Sequence, residues 1–233
     1  MNLSVRSAQP ERMDTDCADY DDYARCLRDL ARVNVVTLTH RPTLAWLARE
    51  TRDLASFSLL DVACGHGDLL RRIRRWCVRH GNDAQLTGID LNPWSMRAAV
   101  TATATDMAIT WRTGDVFQHD AHYDFIVSSQ FAHHLANDDI VNFIHWMEAH
   151  AARGWYIGDL HRHWFPYYGF GLLALAAGWH HFVRSDGRIS IARSFVPVDW
   201  RALIAAANLP PEAVEIRWHM PFRLCVSRRC SPR

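Results

Sequence analysis

The 233-residue chain contains no lysine: all 26 of its basic residues are arginine. Set against 25 acidic residues they leave a formal net charge of +1. That balance gives no electrostatic case for nucleic acid or an anionic membrane surface as partner. The all-arginine complement reads as codon usage rather than a binding device. Without lysine no Gly-Lys-Ser/Thr sequence exists, so a P-loop is excluded. The six cysteines, at 17, 26, 64, 77, 225 and 230, include no Cys-x-x-Cys pair. Neither a zinc site nor a disulfide framework is indicated; free thiols, no bound metal and a cytoplasmic location are the expectation. No apolar run reaches the about 18 residues of a membrane span. The opening residues, MNLSVRSAQPERMD, lack the apolar core of a secretory signal, and residues 1–16 are expected to fray.

What is present centres on Leu59–Leu70, LLDVACGHGDLL. Phe57–Ala63 is a short apolar run, the pattern of a buried parallel strand. Gly65-His66-Gly67 is a tight turn, and Asp68 opens an amphipathic helix ending near His80 before Gly81. Strand, glycine turn and helix bring backbone close to a ligand. The third glycine of a dinucleotide fingerprint is missing, since Leu70 stands there. Asp61, on the strand before the turn, repels a pyrophosphate and suits a ligand carrying positive charge. Gln85–Asp90 reads as a second strand ending in an acid, at the spacing where a carboxylate meets ribose hydroxyls.

Asp-x-Ala-x-Gly-x-Gly followed by Gly88-Ile89-Asp90 resembles motifs I and II of the class I S-adenosylmethionine (SAM) methyltransferases. The resemblance implies an α/β, Rossmann-like fold with a seven-stranded sheet ordered 3-2-1-4-5-7-6. It implies SAM as cofactor, S-adenosylhomocysteine as product, and Asp61, Ala63, Gly65, Gly67, Asp90 and Leu91 around them. By position, Asp115 and Val116 in Gly114-Asp115-Val116-Phe117 meet the adenine, and Ser128 lies at the next strand end. Trp94 is a candidate to pack on the adenine face.

The rest of the chain reads in order. Tyr20–Val33 and Pro42–Leu54 are helices, the second turning Leu44, Leu47 and Ala48 inward with Trp46 to one side. With the residues before them they form an N-terminal cap over residues 1–55. Residues 56–233 form the core. Arg71, Arg72, Arg74 and Arg75 make a solvated helix face. Asn92 and Pro93 start a helix; Ile109–Arg112 is a third strand and Tyr123–Ser129 a fourth. Asn137 starts a helix to about Ala152, with Ile140, Val141, Ile144 and Met147 inward. Gly154–Leu160 is a fifth strand. Val198–Asn208 is the last crossover helix. Ala213–His219 and Phe222–Ser227 close the sheet as an antiparallel hairpin.

Two histidine pairs leave adjacent strand ends: His133-His134 after the fourth strand, His161 and His163 after the fifth. A phenol hydroxyl titrates near 10, so a histidine base suits it at neutral pH. His133 and His134 are the first candidates for that base, His161 the next. The segment 161–195 is an insertion. Its aromatic part, WFPYYGFGLLALAAGW, is expected to line an apolar acceptor cavity with His163, Trp164, Tyr167 and Tyr168, and leaves core packing or homodimer contact open as the other uses of that segment. Ser185-Asp186-Gly187-Arg188 reads as a turn. The segments PERMD, LRDLARVN, HRPTLAWL and GDLHRH are similar to a bacterial group of small methyltransferases of polyketide, phenol and quinone-like secondary metabolites. Methyl transfer to a small aromatic acceptor, at oxygen, is the implied activity. The alternatives are C-methylation of a quinone-like ring and a non-catalytic SAM-binding subunit. The near-neutral charge argues against nucleic acid as substrate. After the fourth strand stands Ser128-Ser129-Gln130-Phe131, not the Asn/Asp-Pro-Pro-Tyr/Phe of amino-group methylation.

Overall fold

The computed structural model describes residues 3–16 and 19–230. Met1, Asn2, Cys17, Ala18 and residues 231–233 lie outside them. Seven strands form one sheet: β1 (Ser56–Val62), β2 (Asp83–Asp90), β3 (Ile109–Thr113), β4 (Tyr123–Ser129), β5 (Ala151–Leu160), β6 (Val214–His219) and β7 (Arg223–Arg229). Their order is β3-β2-β1-β4-β5-β7-β6, as expected, with β7 antiparallel to both of its neighbours.

The central strands are buried on both faces, which is why they read as continuous apolar runs. Successive side chains serve opposite layers. Leu59, Phe125, Val127 and Tyr156 pack under α3 (Arg41–Glu50), α4 (Asp68–His80) and α5 (Pro93–Thr101). Leu60, Ile126, Trp155 and Ile157 pack under α6 (Asn137–His150) and α9 (Pro197–Ala206). Helix α4 buries Leu69, Leu70, Ile73 and Cys77, the stripe its sequence spacing gives, and stops at left-handed Gly81.

Above the carboxyl ends of the strands lies a helical roof. It comprises the short α1 (Arg12–Thr15), α2 (Tyr20–Val36), α7 (Trp164–Ala176) and α8 (His181–Arg193). Five details depart from the sequence reading. Residues 3–16 do not fray: Arg6 donates to the carbonyls of Arg193 and Leu135, Ser7 N–H donates to Ala192, and Glu11 is buried. Trp46 is inside, edge-on to Phe125 and against Tyr156, while Ala48 faces out. Arg71 is buried, donating to the His66 carbonyl at 2.6 Å, so the arginine face of α4 is not wholly solvated. Trp94 packs on Tyr20 and Tyr23 of α2 and does not reach the ligand cavity. The Ser185–Arg188 turn lies within α8. A Cβ on Gly187 would stand 2.0 Å from the Phe170 ring, so this glycine lets α7 and α8 approach. Packing between the two helices overrides the turn preference of Asp-Gly.

Candidate functional site

The strand ends open into a cavity of about 660 Å³ beneath the roof. Its first half is built on the glycine turn. Cys64 N–H donates to the Ile89 carbonyl and Gly67 N–H to that of Cys64, which folds the chain back at the end of β1. Ala63, Gly65 and Gly67 all take positive φ. A Cβ on Gly67 would sit 2.2 Å from Trp111, so both the backbone and the space require glycine there; at Gly65 only the backbone does. Asp90 accepts from Gly65 N–H at 2.9 Å through one oxygen and from Asn92 N–H at 2.9 Å through the other. The acid at the end of β2 is thereby locked against the turn at the end of β1.

This half is strongly acidic. Asp61, Asp68 and Asp90 all line it. Burial pushes Asp61 well above the usual carboxylate range, and the charges of Asp68 and Asp90 push it further. Asp68 goes the other way: burial disfavours its charge, but His40 at 2.7 Å and Asn34 at 3.1 Å outweigh it and hold the carboxyl low. Gln130 extends that chain by donating to Asn34 at 2.8 Å. His66 is pushed down to about 4, by burial first and then by Arg71, so it is neutral at pH 7. Asp115 caps the turn at Val116–Gln118 by accepting from Phe117 N–H, and both Asp115 and Val116 face the cavity. Leu91 lines it too, with 72% of its surface exposed. Ser128 does not: it is buried, with its hydroxyl donating to the Val62 carbonyl, and Ser129 and Gln130 hold the cavity wall instead.

The second half holds the histidines of the 132–134 turn and the N-terminal strap. His133 is buried, its Nδ1 2.7 Å from Asp159 Oδ1 and its Nε2 3.3 Å from Glu11 Oε1. Its backbone N–H donates to the other Asp159 oxygen at 3.0 Å. Burial alone would lower this imidazole; the charge and hydrogen bond of Asp159, then those of Glu11, outweigh it and raise His133 to about 9. Glu11 answers in kind: burial would raise it, but His133, His134 and Ser190 bring it down to about 2. At neutral pH the three are carboxylate, imidazolium and carboxylate. His134 is the more open neighbour, with 28% of its side chain exposed and Nε2 3.7 Å from Glu11 Oε1. Both histidines line the cavity.

The ligating atoms of Glu11, His133 and His134 lie within 4.8 Å of one another, a grouping a cation can use. Here both ring nitrogens of His133 already face carboxylates.

The third candidate base, His161, and the four expected substrate residues are not brought here. His161 faces a second, apolar cavity. His163 caps α7 by accepting from Phe165 N–H and stacks on Phe222. Trp164 and Tyr168 are exposed, and Tyr167 is packed against Ile191 and Ala192. None of these four lines either cavity. Conversely, Asn34, His40, Asp68, Gln130, Ser190 and above all Glu11 escaped the sequence reading. Asp68 stood in view as the first residue of α4. A lone glutamate in a polar segment carries no periodic signal.

Residues 59–154, from β1 into β5, match the family model described as a methyltransferase domain. Comparison with curated proteins by sequence finds no match. Among solved structures, magnesium protoporphyrin IX methyltransferase from Synechocystis, with bound S-adenosylhomocysteine, superposes with a TM-score of 0.57 at 14% identity, over 94% of this chain and 91% of that one. The plantazolicin methyltransferase, in complex with a pentazolic desmethyl analogue and S-adenosylhomocysteine, gives 0.64 at 13% identity, over 90% and 96%. Human N-acetylserotonin methyltransferase gives 0.64 at 14% identity, over 91% of this chain and 57% of that larger one. Family match and fold agree: the chain carries a methyltransferase domain on the class I architecture of the SAM-dependent methyltransferases.

Proposed function

We propose that this chain transfers a methyl group from SAM to the hydroxyl of a small aromatic acceptor, with His134 as general base. The observation that carries the proposal is the pairing of halves in one cavity. A glycine turn ringed by Asp61, Asp68 and Asp90 adjoins a wall bearing His134.

The first half fits SAM on its own chemistry. Buried Asp61 is unfavourable as an anion beside two other carboxylates, and a ligand with ammonium and sulfonium charges relieves that repulsion. Asp90, held in place by the N–H groups of Gly65 and Asn92, brings a carboxylate to the side of the cavity where a ribose would lie. Asp115 and Val116 flank the position of the adenine. When bound, SAM supplies a methyl group on a positively charged sulfur. The protein's share is to align the acceptor, exclude water and remove one proton.

His133 and His134, adjacent in sequence, divide that work. His133 is protonated at neutral pH and hydrogen-bonded on both nitrogens, so it offers no lone pair to an acceptor. It ties the 132–134 turn to β5 and the strap to both. His134 opens on the cavity and takes the acceptor proton. Glu11, 3.7 Å away, is the counter-charge for the imidazolium that forms. Replacing His134 with Ala is expected to lower kcat by about 10²–10⁴ while SAM affinity, read by calorimetry, holds. Raising the pH toward the phenol pKa of about 10 restores part of the loss. Wild-type kcat in His134→Ala overturns the assignment.

A further inference from the structure

Beside the main cavity lies a second one of about 440 Å³, enclosed by α2, α7, α8 and the turn at Pro221-Phe222. Its walls include Val33, Phe165, Phe170, Phe182, Val183 and Ile191. Two charged groups on its boundary have partners within the protein: Asp186 accepts from Met13 N–H at 2.8 Å, and Arg223 donates to the hydroxyls of Thr37 and Thr39 at 2.8 and 2.6 Å. Arg223 Nε and His161 Nδ1 are buried without a partner at the Phe222 end, while the wall along α7, from Phe165 to Leu173, is apolar.

The two cavities share their partition. Glu11, Met13, Leu30, Gln130, Leu160 and Ser190 line both. The two spaces abut at these side chains, so a tail attached to a head beside His134 has the apolar space as its neighbour once it passes between them. One backbone choice keeps that space open. Gly169 lies within α7, where glycine is a poor helix former, and a Cβ built on it meets nothing within 4 Å. Gly187 across the helix pair is different, since its missing side chain is filled by Phe170. Val36, Phe165 and Leu173 stand exposed at the outer rim, so the space reaches the surface along α7.

We infer that the acceptor is an amphiphile, whose aromatic head sits beside His134 and whose unbranched alkyl tail fills this second cavity. The inference rests on the methyl-transfer reading for the identity of the head. A methylene needs about the 30 Å³ that liquid water occupies per molecule, so 440 Å³ bounds the enclosed tail at about ten to fifteen carbons. Longer tails pass the rim.

The test is a series of 4-alkylphenols, from methyl to octadecyl, titrated calorimetrically into the protein with S-adenosylhomocysteine, with methyl transfer from SAM measured in parallel. Kd is expected to fall about fourfold per added methylene, with an increasingly negative heat-capacity change, and then level off. Gly169→Ala brings the plateau forward by about one carbon and Gly169→Leu by about four, because the new side chain occupies the same space. Both substitutions favour the helix. A Kd independent of tail length, or no binding by any member, overturns the inference. Length-dependent binding without methyl transfer to any phenol keeps the tail cavity and overturns the methyl-transfer reading. Methyl transfer with flat affinities does the reverse.

Discussion

Replacing Glu11 with Gln isolates the link between the N-terminal strap and the 132–134 turn. Its carboxylate faces His133 at 3.3 Å and His134 at 3.7 Å, and accepts from Ser190 at 2.6 Å. Its carboxyl is brought from an ordinary 4.5 to about 2, against the burial that would raise it. A displacement of that size corresponds to about 3 kcal/mol of folded-state stabilisation of the charged form. His133, raised from 6.5 to about 9 by Asp159 and Glu11, reports the same pair from the other side, so the two figures are not added. The sign follows from the directions. The Glu11 contribution is present above about pH 4.5 and is lost as pH falls toward 2. The His133 contribution is present in full below about pH 6.5 and is lost as pH rises through 9. Because Asp159 on β5 is the larger cause of the His133 shift and stays in place when the strap opens, the strap is held from about pH 4.5 upward and loosens as pH rises through 9. In Glu11→Gln the open population of residues 3–13 is expected to rise by about 100-fold at pH 7. Amide hydrogen exchange on peptides from that segment, corrected for intrinsic rates, reads this directly. Wild-type protection should also decline between pH 7 and 9.5, while the variant shows little pH dependence there. Equal protection in the two proteins at pH 7, or wild-type protection flat through pH 9, would refute the ion-pair account of the strap.

Two further outcomes follow from the geometry. Asp90→Ala removes a carboxylate that holds Gly65 and Asn92 and faces the proposed ribose position; SAM affinity by calorimetry should weaken by about 1.5–3 kcal/mol, and unchanged affinity would refute the ribose assignment. Gly187→Ala places a methyl group 2.0 Å from the Phe170 ring, so urea unfolding should show a loss of about 1–3 kcal/mol from overpacking despite alanine's better helix propensity; a gain in stability would restore the turn reading of Ser185–Arg188.

What the sequence made legible is what local chemistry determines. The β1–turn–α4 unit appeared within a residue of its observed limits because an apolar run, a Gly-x-Gly and an amphipathic stripe each act over a few positions. Asp90 was readable for a related reason: parallel pairing of β1 with β2 puts the end of the second strand beside the first turn. The insertion was harder. Its aromatic residues suggested a binding wall, yet Trp164 and Tyr168 face outward while Phe165, Gly169, Phe170 and Leu173 of α7 line the second cavity. Side-chain size marks a candidate; only the packing of α7 on α8 decides which face is inward. Glu11 lay beyond reach, since its partners are His133 and Ser190, far along the chain.

The two neighbouring histidines show where residue type stops being informative. His133 and His134 are chemically identical and adjacent, and both follow β4 at the place where ligands of open parallel sheets bind. A single turn of 3₁₀ helix at Ala132–His134 sends one ring inward to Asp159 and leaves the other on the cavity wall. Asp159 is fully buried at the end of β5, and an anion there demands a cation. The nearer ring answers that demand and is spent as an imidazolium. Exchanging the proposed roles of the two histidines would require moving that aspartate, so which ring is left on the cavity wall is set by the charge at the end of β5 and not by the histidines themselves.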